Sequence, residues 1–225
     1  MAASKKPIII SLDGNIGAGK TTLLQELYKL SPDIQIIPEP IETWTSYIDE
    51  SGKNLLQLFY EDKQRWAYTF QNCAIITRIM TIKDTLKQYP NKKVFITERS
   101  LLTDRYVFAE MLYSDGLLNQ LEWKLYNKWY AEFSEQVSID GIIYVTTNPE
   151  ISGERIKCRG RPGEDKIDAS YLNKLHIQHN KWISETNIPV LKISTETDIS
   201  PAINVRKITQ FIEGLNQGNQ NVCST

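Results

Sequence analysis

A short glycine-rich segment is the part of this sequence whose residue types and spacing most clearly favour chemistry. Residues 14–21 read Gly-Asn-Ile-Gly-Ala-Gly-Lys-Thr and match the pattern G-x-x-x-x-G-K-[S/T]. Glycines let consecutive backbone N–H groups curl around a phosphate, and a helix that begins there adds its positive end. Lys20 can bridge the β- and γ-phosphates, and the Thr21 hydroxyl can bind Mg²⁺. The segment predicts a nucleoside triphosphate site formed by Gly14, Asn15, Ile16, Gly17, Ala18, Gly19, Lys20, Thr21 and Thr22.

The glycine-rich segment has other possible interpretations, and other parts of the sequence bear on them. A glycine-rich turn without a ligand is disfavoured, because an apolar run precedes the motif and a helical pattern follows it. An Asn-Lys-x-Asp segment would indicate a GTPase, but none of the four Asn-Lys pairs has Asp two places after the lysine. A phosphotransferase with a small acceptor is the favoured class, and a regulatory protein that binds ATP without turnover stays open as the non-enzymatic alternative.

Glu39 is the candidate for the acceptor side of such a reaction. It follows the apolar run 34–37, and ligands of parallel sheets lie at the carboxyl ends of strands. A hydroxyl acceptor benefits from a carboxylate that takes its proton, whereas a monophosphate acceptor would be repelled by that charge. Glu39 therefore favours a hydroxyl acceptor. A nucleoside monophosphate kinase of the thymidylate kinase type is the nearest alternative, and a solvated loop glutamate is the structural one.

An alternation of short apolar runs and helical patterns predicts the elements that hold these residues. Runs of strand length occupy 6–12, 34–37, 94–96, 141–145 and 190–193. Helical spacing of apolar residues covers 21–30, 54–88 (one or two helices), 100–114, 119–137, 148–158, 168–186 and 200–213. This order is typical of an α/β fold, with a five-stranded parallel sheet and helices on both faces.

The composition fits one globular domain. The chain has 225 residues, of which 41% are hydrophobic and 24% charged. Its 26 basic and 27 acidic residues leave a net charge of −1, without the basic excess typical of a polynucleotide binder. We expect a single domain over 1–213 and a disordered polar tail over 214–225.

The cysteines and the hydropathy pattern indicate the compartment. Cys73, Cys158 and Cys223 are scattered and form no C-x-x-C pair, which favours a reducing compartment over a disulfide framework or a zinc site. No stretch approaches the ~18 apolar residues of a membrane span, and the start of the chain has no pattern of a signal sequence. We expect a cytoplasmic protein with neither a nucleic-acid nor a membrane partner.

Four further segments carry a resemblance to a known family. They are IPEPIETW (37–44), YTFQNCAIITR (68–78), TERSLLTDRYVFA (97–109) and RIKCRGRPGED (155–165). With the phosphate loop they resemble the deoxyribonucleoside kinases, nearest the deoxycytidine and deoxyguanosine kinase branch, over about residues 8–193. The resemblance implies a P-loop kinase fold with an arginine-bearing lid. It also implies transfer of phosphate from ATP, with Mg²⁺, to the 5′-hydroxyl of a deoxyribonucleoside in nucleotide salvage.

The resemblance implies roles for the charged residues. Glu39 would be the general base for the 5′-hydroxyl, with Arg99 beside it and Lys20 in the catalytic set. Glu98 would support Mg²⁺ together with Thr21, and an acidic residue after an apolar strand independently fits a metal-site group. A surface ion pair of Glu98 and Arg99 is the alternative. The residues expected to contact the donor from the lid and its helix are Arg155, Arg159 and Arg161.

The resemblance also implies a nucleoside pocket. Gln71 would pair with the base, because an amide presents a donor and an acceptor side by side. Ala74 and Arg78 share a helix face, and Asp104 could pair with Arg78 and occupy the space that the methyl of thymine needs. We therefore expect deoxyadenosine, deoxyguanosine or deoxycytidine to be preferred over thymidine. The remaining implied contacts are Trp44, Leu56, Phe70 and Phe108 around the base, and Tyr60 and Glu164 at the sugar 3′-hydroxyl.

Two features concern assembly and the donor base. Members of the family are mostly homodimers through long helices, and the helices over 54–88 and 119–137 are the candidates here. The segment 194–197 lacks an aspartate at its start, which leaves the recognition of the donor base open.

Overall fold

Five parallel strands form the sheet of the computed structural model, which describes residues 6–196 and 201–222. The strands are β1 (Ile8–Gly14), β2 (Ile34–Ile37), β3 (Val94–Glu98), β4 (Gly141–Thr146) and β5 (Val190–Ser194). They lie in the order β2-β3-β1-β4-β5, so β1, which leads into the phosphate loop, is central. The predicted five-stranded parallel sheet is confirmed.

Helices connect the strands and cover both faces of the sheet. They are α1 (Lys20–Leu30), α2 (Ile41–Ser46), α3 (Leu55–Glu61), α4 (Lys63–Gln88), α5 (Leu101–Thr103), α6 (Glu110–Ser114), α7 (Gln120–Ser134), α8 (Pro149–Arg159), α9 (Ala169–Glu185) and α10 (Pro201–Val222). A π-helical segment, Asp104–Ala109, joins α5 to α6, and a 3₁₀ turn, Glu164–Lys166, follows α8. Among the described residues, every helix is too short or too polar to be a candidate for spanning a bilayer.

The core divides into layers because successive strand residues point to opposite faces of the sheet. On one face, Ile10 and Leu12 of β1 pack with leucines of α1 and with Ile208 of α10. On the other face, Ile142 and Tyr144 of β4 belong to a larger cluster with α3, α4 and α9. The carboxyl ends of the strands are left open for ligands.

Helix boundaries differ from the prediction at a few places. The helical region 54–88 is two helices, because Asp62 ends α3 and its side chain accepts a hydrogen bond from Arg65 N to begin α4. The predicted helix 100–114 contains the π-helical segment, and the six-residue helix α2 was not predicted. Helix α7 ends at Ser134 rather than near 137.

The last helix extends beyond its predicted end at residue 213, into the segment 214–225 for which the sequence predicts a polar tail. Helix α10 continues through this segment, and residues 223–225 lie outside the described part of the chain. Pro201 stands at the first position of α10, where proline is tolerated, and no proline follows it. Leu215 also packs closely on β4, where a Cβ at Gly141 would lie 2.7 Å from Leu215 Cδ1.

Candidate active site

The phosphate loop lies between β1 and α1, with backbone that its glycines permit. Gly17 has a φ of +76°, and a Cβ there would lie 2.4 Å from the Ser152 carbonyl oxygen. The Asn15 side chain fastens the loop to α9, because its Nδ2 donates to the Leu172 carbonyl at 2.9 Å. The loop thus presents its N–H groups beside the N-terminus of an eleven-residue helix, an arrangement suited to phosphate.

Lys20 is buried at the start of α1, under the loop. Its amine donates to the carbonyl oxygens of Gly14 at 3.2 Å and Asn15 at 2.9 Å. Burial, and then the nearby Arg99 guanidinium, lower the pKa of Lys20 to about 7. A phosphate placed against this amine would favour its charged form.

Thr21 and Glu98 meet at the mouth of the donor cleft. The Thr21 hydroxyl donates to the Glu98 carboxylate at 3.0 Å (Oε2) and 3.1 Å (Oε1). Oxygen ligands of this kind suit Mg²⁺, which is usually held by one or two protein groups together with substrate phosphates. Within the described ranges no cluster of three His, Cys, Asp or Glu side chains could hold a metal alone. The pair therefore fits an ion that arrives with a nucleotide.

Glu39 lies just beyond β2, inside the acceptor pocket, and is held by two arginines. Arg99 Nη1 donates to both carboxylate oxygens, at 2.8 Å (Oε1) and 2.7 Å (Oε2). Arg78 Nη2 donates to Oε1 at 3.0 Å. Burial alone would raise the pKa of Glu39, but Arg99, then Arg78 and Lys20, outweigh it and hold the pKa at about 2. The carboxylate is therefore ionised at neutral pH.

Arg78 joins Asp104 to Glu39. Its Nε donates to Asp104 Oδ2 at 2.8 Å, so the contact predicted between these residues is present. Arg78 Nη1 also donates to the Glu98 carbonyl at 3.0 Å. The contact of Arg78 with Glu39 was not predicted, because it requires two elements far apart in the chain to meet. Ala74 lines the pocket one turn before Arg78.

Aromatic side chains build the walls of the acceptor pocket. Phe70 stacks on Phe59 at a centroid distance of 4.5 Å and meets Trp44 edge-on at 5.2 Å. The Arg99 guanidinium lies 5.0 Å from the ring centroid of Phe108. Gln71 is buried among them, and its Oε1 has no hydrogen-bond partner in the described part of the chain. An amide with an unpaired oxygen, in a pocket with aromatic walls, suits the edge of a nucleobase.

Residues of the lid line one part of this pocket. Glu164 is buried in the 3₁₀ turn after α8 and faces Tyr60, another pocket residue. Arg159 Nη2 donates to Glu164 Oε2 at 2.7 Å, and Arg161 Nη1 donates to Oε1 at 3.0 Å. The lid packs closely on α3, since a Cβ at Gly163 would lie 3.0 Å from Gln57 Cα. One carboxylate therefore links the acceptor side to both lid arginines.

The donor cleft lies on the other side of Lys20. Arg155, Arg159, Arg161, Thr22 and Thr195 line it together with the phosphate loop. Arg155 donates to Thr195 Oγ1 at 3.2 Å and to the Thr195 carbonyl at 2.7 Å, which fixes its guanidinium beside β5. The residues predicted for the donor that line this cleft are Gly17, Gly19, Lys20, Thr21, Thr22, Arg155, Arg159 and Arg161. Gly14, Asn15 and Ala18 line neither cleft, and Ile16 lines the acceptor pocket.

The residues predicted for the acceptor gather in one pocket. Its walls contain Glu39, Trp44, Leu56, Tyr60, Phe70, Gln71, Ala74, Arg78, Arg99, Asp104, Phe108 and Glu164. Sequence reasoning missed Ile41, Phe59 and Tyr171, which line the same pocket. Phe59 follows Leu56 by three positions, so helical spacing could have placed it on the same face.

The fold and the two adjoining clefts define a P-loop phosphotransferase. A sequence profile of the deoxynucleoside kinase family matches residues 10–215. The chain therefore belongs to the deoxynucleoside kinase family.

Individual relatives agree with this assignment. The chain is 42% identical over 197 residues to a probable deoxycytidine kinase of fowlpox virus, with 84% of this chain and 79% of the relative covered. It is 39% identical over 201 residues to deoxycytidine kinase 2 of Gallus gallus, with coverages of 80% and 76%. It is 37% identical over 218 residues to a mitochondrial deoxyguanosine kinase of Xenopus laevis, with coverages of 84% and 82%. The chain is thus an enzyme that phosphorylates the 5′-hydroxyl of a deoxynucleoside in salvage, and the thymidylate kinase alternative is not favoured.

Proposed function

We propose that this kinase transfers phosphate from ATP, with Mg²⁺, to deoxyadenosine, deoxyguanosine or deoxycytidine in preference to thymidine. The observation that carries the proposal is the buried carboxylate of Glu39, fixed by Arg99 at 2.7 Å and Arg78 at 3.0 Å in a pocket that also contains Lys20. An anionic acceptor would be repelled by this carboxylate, whereas a nucleoside hydroxyl can donate a hydrogen bond to it.

In the proposed mechanism Glu39 orients the 5′-hydroxyl and takes its proton. The 5′-oxygen forms a bond to the γ-phosphorus, the bond from that phosphorus to the β,γ-bridging oxygen breaks, and ADP leaves. A base with a pKa of about 2 is weak, but the loose transition state of phosphoryl transfer demands little of it before the new bond forms. Positioning is therefore the larger contribution of Glu39.

The cationic side chains complete the mechanism. Lys20, Arg159 and Arg161 stabilise charge on the transferring group, and Arg99 holds Glu39 and adds positive charge beside it. Thr21 and Glu98 would hold Mg²⁺. When bound, this ion neutralises charge on the β- and γ-phosphates. Arg155 would lie against the donor nucleotide, as its place in the donor cleft supports.

The preference against thymidine rests on the Arg78–Asp104 pair. Both side chains are almost fully buried and joined at 2.8 Å, so a base must fit beside them. Their hydrogen-bonding groups suit a purine or cytosine, and their volume competes with a 5-methyl group. Gln71 supplies the amide for the opposite part of the base edge.

A nucleoside panel tests the proposal. We expect kcat/KM in an ADP-release assay to be at least about 10-fold higher for one of the three favoured deoxynucleosides than for thymidine, the range that one methyl group can control. GTP and UTP are compared with ATP as donors in the same assay. Efficient use of thymidine, or of a monophosphate in place of the nucleoside, would contradict the proposal.

A paired variant shows whether Arg78 and Asp104 set this preference. Arg78→Met with Asp104→Ala removes both charges together and so leaves no unpaired buried charge. We expect the rate with thymidine, relative to the preferred nucleoside, to rise. Lys87→Met with Asp84→Ala, which changes two exposed residues of the same helix, is the matched control.

We also propose a cytoplasmic homodimer. Helices α4 and α7 each expose apolar side chains at helical spacing, namely Ile76 and Met80, and Leu121, Leu125 and Trp129. Exposed apolar side chains along two helices suit contact with a second copy of this chain. Cys73 and Cys158 are free thiols, which fits a reducing compartment. Sedimentation velocity should show a dimer that Leu125→Glu dissociates and Ile177→Glu, an exposed change on α9, does not.

A further inference from the structure

The backbone of Arg99 has an unusual conformation. Its φ is +61°, and it is the one non-glycine residue with a positive φ among those that the structure describes. Residues with a Cβ are strained in this left-handed region, and such strain persists where the surroundings over-determine the conformation. Contacts around Arg99 must therefore hold this conformation.

Hydrogen bonds on both sides of Arg99 fix this conformation. Its N–H donates to the Leu12 carbonyl of β1 at 3.0 Å. Its own carbonyl accepts a hydrogen bond from the Thr97 hydroxyl at 2.8 Å. As a result the chain turns away from the direction of β3 between Arg99 and Ser100. Helix α5 begins directly after this turn.

A second pair of residues anchors the start of α5 to β1. Ser100 N–H donates to the Thr103 hydroxyl oxygen at 3.1 Å, and that hydroxyl donates to the Asp13 carboxylate. Asp13 is the last residue before the phosphate loop. We name Asp13, Thr97 and Thr103 the Arg99 clamp. All three are fully or almost fully buried, and none lines the acceptor pocket or the donor cleft.

We propose that the Arg99 clamp is a set of positioning residues, which hold the strained backbone so that the Arg99 guanidinium meets Glu39. In this conformation Arg99 Nη1 reaches Glu39 Oε2 at 2.7 Å, and Nη2 lies 3.4 Å from the Gly14 carbonyl oxygen. With a relaxed backbone at Arg99 the side chain would leave β3 in another direction, and Glu39 would lose its closest partner. The inference rests on the proposed role of Glu39.

Thr97→Val and Thr97→Ser separate positioning from packing. Valine keeps the shape of threonine and removes the hydroxyl, whereas serine keeps the hydroxyl and removes a methyl group. We expect Thr97→Val to lower kcat about 10- to 100-fold, with the KM for ATP unchanged, because small misplacements of a catalytic group have effects of this size. Thr97→Ser should restore most of the activity. A purely structural role predicts the reverse order, with serine the more harmful change.

Thr103→Val and Thr103→Ser repeat the comparison at the second anchor, and Thr81→Val is the control. The Thr81 hydroxyl donates to the Thr77 carbonyl of its own helix, so its loss should leave kcat unchanged. Melting temperatures of all variants show whether any loss of activity merely follows loss of folded protein.

A crystal structure of Thr97→Val gives a readout that does not depend on turnover. We expect Arg99 to adopt a negative φ and its ion pair with Glu39 to break. An unchanged Arg99 overturns the inference, as does a wild-type kcat in both valine variants. If the wild-type protein phosphorylates no deoxynucleoside, the proposed function fails, while the position of Arg99 still decides whether the clamp exists.

Discussion

The acceptor pocket and the donor cleft share Lys20 and the lid residues Arg159 and Arg161, but the charges that belong to the pocket alone differ from the lid arginines in burial. In the pocket Glu39, Arg78, Arg99 and Asp104 form one connected network, and each side chain is at most 9% exposed. At the donor side the side chains of Arg159 and Arg161 are 36% and 31% exposed, on a segment that contains two glycines of positive φ.

This difference in burial suggests that the fold alone positions the charges of the acceptor pocket, whereas the lid arginines need a bound nucleotide to position them. Charges fixed in a buried network need no rearrangement when the reaction begins, which is the basis of electrostatic preorganisation. Arginines on a glycine-containing lid can adjust when a nucleotide arrives. We therefore expect the acceptor pocket to keep its charge geometry without a ligand, and the lid arginines to take their final positions when a nucleotide binds.

Replacement of Glu39 should have the largest effect. We expect Glu39→Gln to lower kcat about 100- to 10,000-fold. The amide loses the charge by which Arg99 and Arg78 fix this side chain against the 5′-hydroxyl, and it also cannot take the proton. ATP affinity, measured by calorimetry, should stay close to that of the wild type. The melting temperature should fall, since Arg78 and Arg99 lose their shared counter-charge.

Glu42→Gln is the matched control for this change. Glu42 is exposed on α2, three residues after Glu39, and we expect wild-type turnover. Undiminished kcat in Glu39→Gln would show that the buried charge network stabilises the fold and does not contribute to catalysis. The difference in burial between the network and the lid arginines would then have no bearing on the reaction.

Replacement of a lid arginine should have a smaller effect. We expect Arg159→Ala to lower kcat about 10- to 100-fold and to raise the KM for ATP, because a partly exposed cation contributes less than a buried one. Arg161 still contacts Glu164, so the KM for the nucleoside should change little. Steady-state kinetics with each substrate varied in turn measure this, with Lys157→Ala, an exposed residue of the same helix, as control. A loss of kcat as large as that of Glu39→Gln would show that the exposed lid arginines contribute as much to catalysis as the buried network of the acceptor pocket.

The smallest effect concerns pH. Arg99 and Arg78 hold the pKa of Glu39 at about 2, below its ordinary value, so the ionised form is present above that pKa and is lost only as the pH falls through it. Between about pH 8 and pH 5 we expect no change in nucleoside affinity from Glu39, measured by the fluorescence of Trp44 and the other tryptophans. A transition near pH 5 that disappears in Glu39→Gln would mean that Arg99 and Arg78 lower the pKa of Glu39 less than their distances from it suggest.

Local patterns predicted the elements, the phosphate loop and Glu39, whereas the resemblance to the deoxyribonucleoside kinases implied most of the other site residues. The strands are recognisable because each is a short apolar run, and the phosphate loop because its glycines and lysine have fixed spacing. The Arg78–Asp104 contact was predicted, although its members belong to different helical segments. Helix α2 was missed because it has only six residues and follows a proline-containing segment.

Features that depend on several elements at once could not be predicted. The contact of Arg78 with Glu39 requires α4 to pass over the end of β2, and no local pattern in either segment encodes that. The left-handed backbone of Arg99 arises from β1, β3 and α5 together, since arginine itself has no preference for it. The length of α10 depends on the packing of Leu215 against β4.

The strand order has a consequence for how the enzyme folds. Glu39 and Arg99 are 60 positions apart in the chain, and Asp13 and Thr103 are 90 apart. Their contacts close only after β3 has inserted between β2 and β1, a step that must overcome the entropy of two long loops. In a refolding experiment we therefore expect the return of catalysis to follow the pairing of these three strands, and the circular dichroism signal of the helices to return earlier.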